Sequence, residues 1–322
     1  MYKPDQGALV ISLDYEKYWG MRDKKSIDAY RQNLEGVDEA VKRTLSLFEQ
    51  YNIRATWATV GFLFYHDFDA LFSGLPGIKP AYSSTRLNPY HYIEELKQER
   101  VESNLHFARE GVDQVIATEG QELATHTFSH FYFLEEGIDR DSMKADLEAF
   151  IQQAKELGQP THSIVFPRNQ YNEDTLKLLS ELKIGVYRGN ETSWLYRPSK
   201  DEEQTPLRRM MRLADSMVNI SGHHTGLPVR HDGLVNVPSS RFLRPVSSRF
   251  KLMNKLQTSR IKRSMTHAAK RNEVFHLWWH PHNFGANMDE NFNRLEELLK
   301  HYQVLSEQYG FQSLNMQDFA QS

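Results

Sequence analysis

Seven short apolar runs recur along the chain and constrain its fold more than any other feature. The runs are rich in β-branched residues, and apolar side chains occupy successive positions instead of alternating with polar ones. This pattern predicts strands that are buried on both faces, as in parallel sheets covered by helices. The predicted strands span residues 8–13, 55–60, 122–125, 163–166, 184–187, 234–237 and 274–279.

Helical patterns lie between several of these strands. Apolar residues recur at the helical period from Val37 to Phe48, and Asn52 is expected to end that helix. Two more helices are predicted over 138–157 and 292–309, the second ending before a glycine. Alternation of strands and helices predicts an α/β fold, either a parallel α/β barrel or a doubly wound sheet.

Four polar residues stand at the ends of predicted strands: Asp14, His126, Arg168 and His280. In both types of parallel α/β fold, the carboxyl ends of the strands meet at one face, and that face carries the chemistry. We therefore expect these four side chains to lie close together.

The segment HTFSH places His126 and His130 four residues apart, where two imidazoles can bind one cation. With the carboxylates of Asp14 and Glu16 they would form the donor set of a metal-assisted hydrolase. Simpler interpretations remain open. The two histidines can be hydrogen-bonded residues at the edge of the core, and the two acids can cap a helix or lie on the surface. Arg168 can hold a carboxylate ionised through a bidentate pair, or form a structural salt bridge.

The segment 275–285, FHLWWHPHNFG, is unusually aromatic. A histidine beside Trp278 and Trp279 is expected to be partly desolvated, which suits His280 to acid catalysis. Pro281 indicates that the strand ends at His280. The simpler interpretation is an amphipathic strand with histidines that face solvent.

The composition of the chain excludes several classes of protein. The chain of 322 residues has a net charge of −3 and no cysteine, so disulfides and cysteine zinc sites are excluded. No apolar run approaches 18 residues, so no membrane span is expected, and we expect a cytoplasmic protein without a nucleic-acid partner. Residues 250–271 hold seven Lys/Arg and no acid. That run favours a solvated helix face over a site for phosphate or nucleic acid.

The chain is expected to form one domain, 1–322, because no linker, repeat or low-complexity tract divides it. Two segments resist assignment to strands or helices. Residues 62–92 are rich in glycine and proline, and residues 201–230 are polar, so both are expected to be long loops or insertions.

Five motifs together resemble the NodB-homology polysaccharide deacetylases, also called carbohydrate esterase family 4. They occur in the family's order between about residues 9 and 284: SLDYE, ATWATVG, HTFSH, FPRNQ and LWWHPHNF. The segment HTFSH resembles the family's H-[ST]-x-x-H motif and is the most specific of the five. The resemblance implies an irregular (β/α)7 barrel, which agrees with the number of predicted strands.

The resemblance also implies roles for individual residues. Asp14 would be the general base, and His126 and His130 would bind the metal, which would be a divalent cation such as zinc. Arg168 would steady the base. His280 would protonate the departing amine, with His282 as an alternative.

The chain departs from the family at Tyr15, because the common motif has an acid there that binds the metal. Some relatives have the pattern acid-x-acid, and Glu16 fits that variant, which leaves Glu16 or Asp14 as the third ligand. A backbone N–H near Tyr15 or Arg168 would bind the oxyanion.

Other residues would form the substrate cleft, among them Tyr15 and His282. Arg188 follows a predicted strand and would line its wall, and Trp194 and Trp279 offer flat faces for sugar rings. The function implied is metal-dependent deacetylation of an N-acetylated sugar or glycan intermediate in surface-glycan biosynthesis. The alternatives are a metal-independent amidohydrolase acting on a small non-sugar amide, and an inactive relative that binds glycan.

Overall fold

The computed structural model describes residues 3, 5–96, 102–191, 193–196 and 206–320. Its centre is one curled sheet with strand order β6-β7-β5-β4-β3-β2-β1-β9-β8, and β10 pairs with β1 beside this path. The strands are β1 Ala8–Tyr15, β2 Ala55–Thr59, β3 Gln121–Thr125, β4 Ser163–Ile164, β5 Val186–Tyr187, β6 Val229–His231, β7 Leu234–Asn236, β8 Arg241–Phe242, β9 Val274–Trp279 and β10 Gln312–Leu314.

The seven predicted strands are all present and pair in parallel with their neighbours, so the predicted deacetylase-type barrel is confirmed. The strands β6, β8 and β10 were not predicted, because runs of two or three residues carry no periodicity. Beyond β7 the chain bridges the open side of the sheet. Ser239 N donates to Gly189 O at 2.9 Å, and Ser240 N donates to His276 O at 2.8 Å.

Helices cover the outer face of the sheet. The described helices are α1 Ile27–Glu35, α2 Val37–Gln50, α3 Phe68–Ser73, α4 Pro89–Leu96, α5 Ser103–His106, α6 Arg109–Ala117, α7 Arg140–Glu156, α8 Glu173–Glu181, α9 Pro206–Asp215, α10 Lys251–Arg271 and α11 Met288–Tyr309. The three predicted helices correspond to α2, α7 and α11. A capping box at Asp139 starts α7, and Gly310 ends α11 at a φ of 66°.

Side chains alternate between two layers along each strand, as strand geometry requires. On β1, Leu9, Ile11 and Leu13 pack outward against the helices, while Ala8 and Val10 pack inside the barrel. The inward series continues towards the carboxyl end of the strand, where it becomes polar. The barrel interior is therefore apolar at one end and carries ionisable groups at the other.

The two segments expected to be loops contain regular structure. Residues 62–92 include α3, the start of α4 and two short 3-10 turns, and residues 201–230 include α9. The short helices escaped prediction because each has too few turns to show a clear period. Asp215, at the end of α9, is buried against Arg241 of β8, which ties the second segment to the barrel. Among the described residues, no helix combines the length and apolar character that crossing a bilayer requires.

Candidate metal centre and active site

Strand β1 delivers two carboxylates to one face of the barrel. Because side chains alternate, Asp14 and Glu16 point the same way, and Tyr15 points into the outer layer, where its ring packs edge-on against Trp57. The Tyr15 side chain therefore cannot contact a substrate, which corrects the sequence-based assignment. Gly20 leaves room for Glu16, since a Cβ there would lie 2.0 Å from the Glu16 carboxyl carbon.

The HTFSH segment leaves β3 in a conformation held by buried hydrogen bonds. Thr127 and His130 have φ values of 65° and 61°, a left-handed backbone that costs non-glycine residues free energy. Asp146 of α7 holds this loop, because its carboxylate accepts from Phe128 N at 2.7 Å and Ser129 N at 3.2 Å. Asp146 was not predicted as a functional residue, because it lies within an ordinary helical pattern.

The loop brings two imidazoles onto the Glu16 carboxylate. Oε2 of Glu16 lies 3.0 Å from His130 Nε2 and 3.3 Å from His126 Nε2, and all three side chains are buried. One donor atom from each residue lies within 4.8 Å of the other two. The structure thus brings together the three predicted metal ligands, while Asp14 is engaged elsewhere.

The hydrogen bonds of this group fit a cation. His126 Nδ1 lies 2.8 Å from the carbonyl oxygen of Val165, so we assign the proton to Nδ1 and the lone pair to Nε2. That lone pair faces a carboxylate oxygen, and two acceptors at this distance repel unless a positive charge lies between them. Burial would raise the pKa of Glu16, but the neighbouring His280 and His130 imidazoles outweigh burial and hold it well below its usual value. An ionised carboxylate with two imidazoles suits zinc and similar metals.

Arg188 binds the Asp14 carboxylate in a bidentate pair, at 2.7 Å and 2.9 Å. Burial would raise the pKa of Asp14, but the Arg188 guanidinium outweighs burial and lowers it, so the carboxylate stays ionised. Arg188 also donates to Ser12 Oγ at 3.0 Å and lies 4.3 Å from the centre of the Trp278 ring. It was predicted as a wall of the cleft and instead holds the predicted base.

The prediction that Arg168 steadies Asp14 is wrong. Arg168 pairs with the buried carboxylate of Asp23 and lies 4.3 Å from the centre of the Tyr132 ring. Arg188 stands two residues after the inward-facing Val186, so strand alternation keeps it inside. Arg168 follows the inward-facing Val165 by an odd number of residues and has a left-handed φ of 55°, which turns it away.

His280 is the accessible histidine of the site. Its Nε2 lies 3.9 Å from Asp14 Oδ2 and 3.7 Å from Glu16 Oε1, and 22% of its side chain is exposed. The side-chain amide of Asn283 lies 3.2 Å from His280 Nδ1 and orients the ring with Nε2 towards the two carboxylates. His280 therefore presents Nε2 to the space beside both carboxylates.

The tryptophans of β9 fall on opposite sides of the sheet. Trp279 is fully buried between Phe48 and Phe284, so its predicted contact with substrate is wrong. Trp278 points inward and packs against His280, with ring centres 5.6 Å apart. The side chain of Trp194, also predicted to bind substrate, lies outside the described part of the chain.

His282 lies behind His280. Its ring stacks on that of His280 at 4.9 Å, its Nδ1 is 3.8 Å from Glu16 Oε1, and it is buried. Burial lowers the pKa of His282 to about 3, so its imidazole stays neutral. This placement favours His280 over His282 as the group that reaches substrate.

A buried chain of hydrogen bonds supports Arg188 from beneath. Ser12 Oγ lies 2.9 Å from His276 Nε2, and His276 Nδ1 lies 3.1 Å from Val237 O. Because Nδ1 donates to the carbonyl, Nε2 accepts from the Ser12 hydroxyl, whose oxygen accepts from Arg188. This role of His276 was not predicted, since nothing in the local sequence distinguishes it from a core histidine.

Buried neutral histidines should make the fold sensitive to acid. Burial lowers the pKa of His106 to about 4 and of His276 to about 3. Because these values lie below the unfolded value, their contribution to stability is complete above about pH 6.5 and is lost as the pH falls towards the folded values. We expect each to reduce the free energy of unfolding by about 2 kcal/mol at pH 5 relative to neutral pH.

Urea unfolding of the metal-free protein at the two pH values tests this expectation. The variant His106→Gln should lose less stability than the unmodified protein over the same interval, because glutamine does not titrate. Equal stability at both pH values would show that these imidazoles are not held neutral.

Comparison with known proteins supports the fold. No protein-family model and no curated protein matches the sequence. Among solved structures, a protein assigned as a polysaccharide deacetylase in Mycobacterium smegmatis has a TM-score of 0.60 with 14% identity, over 100% of this chain and 92% of that one. A second, assigned likewise in Pseudomonas aeruginosa PAO1, has a TM-score of 0.58 with 11% identity, over 98% and 89%.

The allantoinase PuuE is also similar, with a TM-score of 0.57 and 12% identity over 100% of this chain and 91% of that one. At these identities the likeness concerns the arrangement of the backbone. The chain therefore has the fold of the NodB-homology polysaccharide deacetylases, as the five sequence motifs implied.

Proposed function

We propose that the protein hydrolyses the N-acetyl group of a sugar with the help of a divalent metal, releasing acetate and a free amine. One observation carries the proposal: the Glu16–His126–His130 group lies beside Asp14, and His280 reaches within 4 Å of both carboxylates. Fold neighbours assigned as polysaccharide deacetylases support a sugar as the substrate.

Glu16, His126 and His130 are the residues that would hold the metal, with zinc the best match to the donor set. A bound divalent cation would polarise the acetamide carbonyl and lower the pKa of a water molecule. The Val165 carbonyl orients His126 for this role, and Asp146 holds the loop between the two histidines.

Asp14 acts as the general base in this proposal. Its carboxylate is ionised and buried, and it accepts the proton of the water that attacks the acetyl carbon. Arg188 fixes both carboxylate oxygens, so the base has one orientation before substrate arrives. The buried Ser12 and His276 hydrogen bonds keep the guanidinium in place.

His280 completes the reaction in its doubly protonated form, because it donates the Nε2 proton to the nitrogen as the C–N bond breaks and becomes a neutral imidazole. The acetyl carbon gains the hydroxyl of water, and the amine gains a proton, so atoms and charge balance. Trp278 and Phe242 flank His280 and present aromatic faces on which a sugar ring can stack. We place the reaction in surface-glycan biosynthesis, where N-acetylated intermediates are the substrates.

Acetate release from a panel of N-acetylated sugars and glycans tests the proposal. The zinc-loaded protein should release acetate, and exhaustive chelation should abolish release until zinc is restored. Turnover that survives chelation would instead support a metal-independent amidohydrolase. Neither metal binding nor turnover would support an inactive glycan-binding relative.

Metal content provides a separate prediction. The variant His126→Ala should bind zinc more than about 100-fold more weakly, because loss of one of three protein ligands costs more than loss of a supporting residue. Elemental analysis after dialysis against dilute zinc would show this loss. The exposed His231→Ala variant is the matched control and should retain the metal of the unmodified protein.

A further inference from the structure

The amino-terminal turns of α10 present apolar and cationic side chains on one outward face. Phe250, Leu252 and Leu256 are 60%, 71% and 39% exposed, and the two leucines lie one helical turn apart. Lys251 and Lys255 are exposed beside them. We call these five residues the α10 surface. Large apolar side chains that are contiguous and exposed usually mark an interaction site.

A groove of about 730 Å³ runs along one flank of the α10 surface, between α10 and α11. Lys255, Lys262 and Arg263 of α10 line it, together with the small polar residues Thr258 and Ser259. The groove thus places three cationic residues and two small polar residues along one concave surface. This combination suits the oxygens of a phosphate group.

Arg294 of α11 contributes a buried charge to the wall of the groove. It is 7% exposed, and its Nη1 donates to the carbonyl oxygen of Arg244 at 3.0 Å. Its Nε and Nη2 have no hydrogen-bond partner among the described residues. Glu290 and Glu297 also line the groove, but Lys262 already pairs with Glu297 at 2.6 Å. Four cations against two acids leave the groove positive.

Exposed apolar residues continue on the other flank of α10. Arg260 Nη2 donates to Asn219 Oδ1 at 2.8 Å, which holds the segment around residue 219 against the helix. Val218 and Ile220 on either side of Asn219 are 59% and 55% exposed. Two more exposed apolar side chains therefore flank a residue that is held against α10.

The α10 surface lies at the same end of the barrel as the candidate active site. Helix α10 precedes β9 and packs against it, so its amino terminus lies near the carboxyl end of that strand. The chain that leads into the helix starts at Phe242, whose ring packs against His280 at 5.6 Å.

We propose that the α10 surface binds the headgroup region of an anionic lipid bilayer. Phe250, Leu252 and Leu256 enter the boundary between headgroups and acyl chains, and the groove binds lipid phosphates. Side chains of these two kinds on one helix face are typical of helices that lie in the membrane interface. A nucleic acid would contact the cationic side chains, but its binding would not explain why the leucines are exposed. The proposal does not rest on the proposed catalytic activity.

Vesicle co-sedimentation of the full chain tests the proposal. Binding to phosphatidylcholine vesicles that contain about 30% phosphatidylglycerol should be at least tenfold tighter than binding to phosphatidylcholine alone, and should weaken as salt screens the charges. Binding of inorganic phosphate and binding of short duplex DNA are measured in parallel. Both should bind more weakly than the vesicles.

Two variants separate the parts of the surface. Leu252→Ser with Leu256→Ser should weaken vesicle binding about tenfold, and Lys255→Gln with Lys262→Gln should weaken it to a similar extent. The exposed Val304→Ser on α11 is the matched apolar control and should bind as the unmodified protein does. Circular dichroism confirms that each variant is folded.

Four outcomes would overturn the proposal. The first is equal binding to neutral and anionic vesicles, and the second is tighter binding to DNA than to vesicles. The third is binding of inorganic phosphate without binding of vesicles. The fourth is self-association of the chain without vesicle binding, if the leucine substitutions abolish that self-association. None of them depends on whether the protein releases acetate.

Discussion

Replacement of Asp14 by Asn is expected to reduce kcat for acetate release by about 10³-fold or more, with metal content unchanged. Asparagine fills the same volume but cannot accept the proton of the attacking water. Glu16, His126 and His130 keep their contacts in this variant, because Asp14 contributes to none of them. Steady-state kinetics of the zinc-loaded variant, with elemental analysis of the same sample, measure both quantities.

The exposed Asp174→Asn on α8 is the matched control, and its kcat should equal that of the unmodified protein. The Asp14→Asn substitution leaves the buried Arg188 without its counter-ion, so the kinetics should be measured well below the unfolding temperature of the variant. Turnover within about tenfold of normal would show that another group removes the proton, and the assignment of the base would be wrong.

Replacement of Arg188 by Met is expected to impair both stability and catalysis. The substitution leaves the buried carboxylate of Asp14 without its guanidinium partner, and breaking a buried pair in this way costs about 3–5 kcal/mol. The pKa of Asp14 should rise, because burial raises it and the guanidinium that outweighs this effect is lost. We expect kcat at neutral pH to fall about 100-fold or more, with the acid limb of the pH profile moved to higher pH.

Arg168→Met is the informative comparison for Arg188→Met. It also breaks a buried pair, with Asp23, but Asp23 keeps its contact with Arg86, so it should lower the free energy of unfolding by less than Arg188→Met does. It leaves both hydrogen bonds to Asp14 intact, and the acid limb of its pH profile should not move. Urea unfolding and kinetics of the two variants show which arginine supports Asp14. A shifted limb for Arg168→Met alone would restore the role that the sequence suggested for Arg168.

Local patterns were sufficient to predict a parallel α/β fold and much of the site, while the resemblance to the deacetylases indicated the barrel. Buried strands such as β1 and β9 carry runs of apolar residues, and a run of six or eight residues is long enough to recognise. The spacing of His126 and His130 is also local, because both lie on one loop. Convergence of these residues with Glu16 then followed from the geometry of parallel sheets.

The face of the sheet on which each strand residue lies could not be predicted. Trp278 and Trp279 are adjacent in the sequence, and a shift of one residue decides which faces the site and which enters the core. Arg168 and Arg188 both follow apolar runs. Their orientations differ because a left-handed turn follows one strand, while the other continues without a break.

Supporting residues carry no local pattern at all. Asp146 lies in a helix and His276 lies within a buried strand, yet each supports a part of the site through contacts distant in sequence. Their roles arise from tertiary packing, which brings polar partners together only once the barrel has formed.

The proposed mechanism depends on one divalent metal that Glu16, His126 and His130 bind beside Asp14. Crystals of the protein grown with zinc, measured on both sides of the zinc absorption edge, test it directly. We predict one strong anomalous peak about 2.0–2.2 Å from an oxygen of Glu16 and from Nε2 of each histidine. No peak there at full zinc saturation, or a peak bound by other residues, would contradict the account.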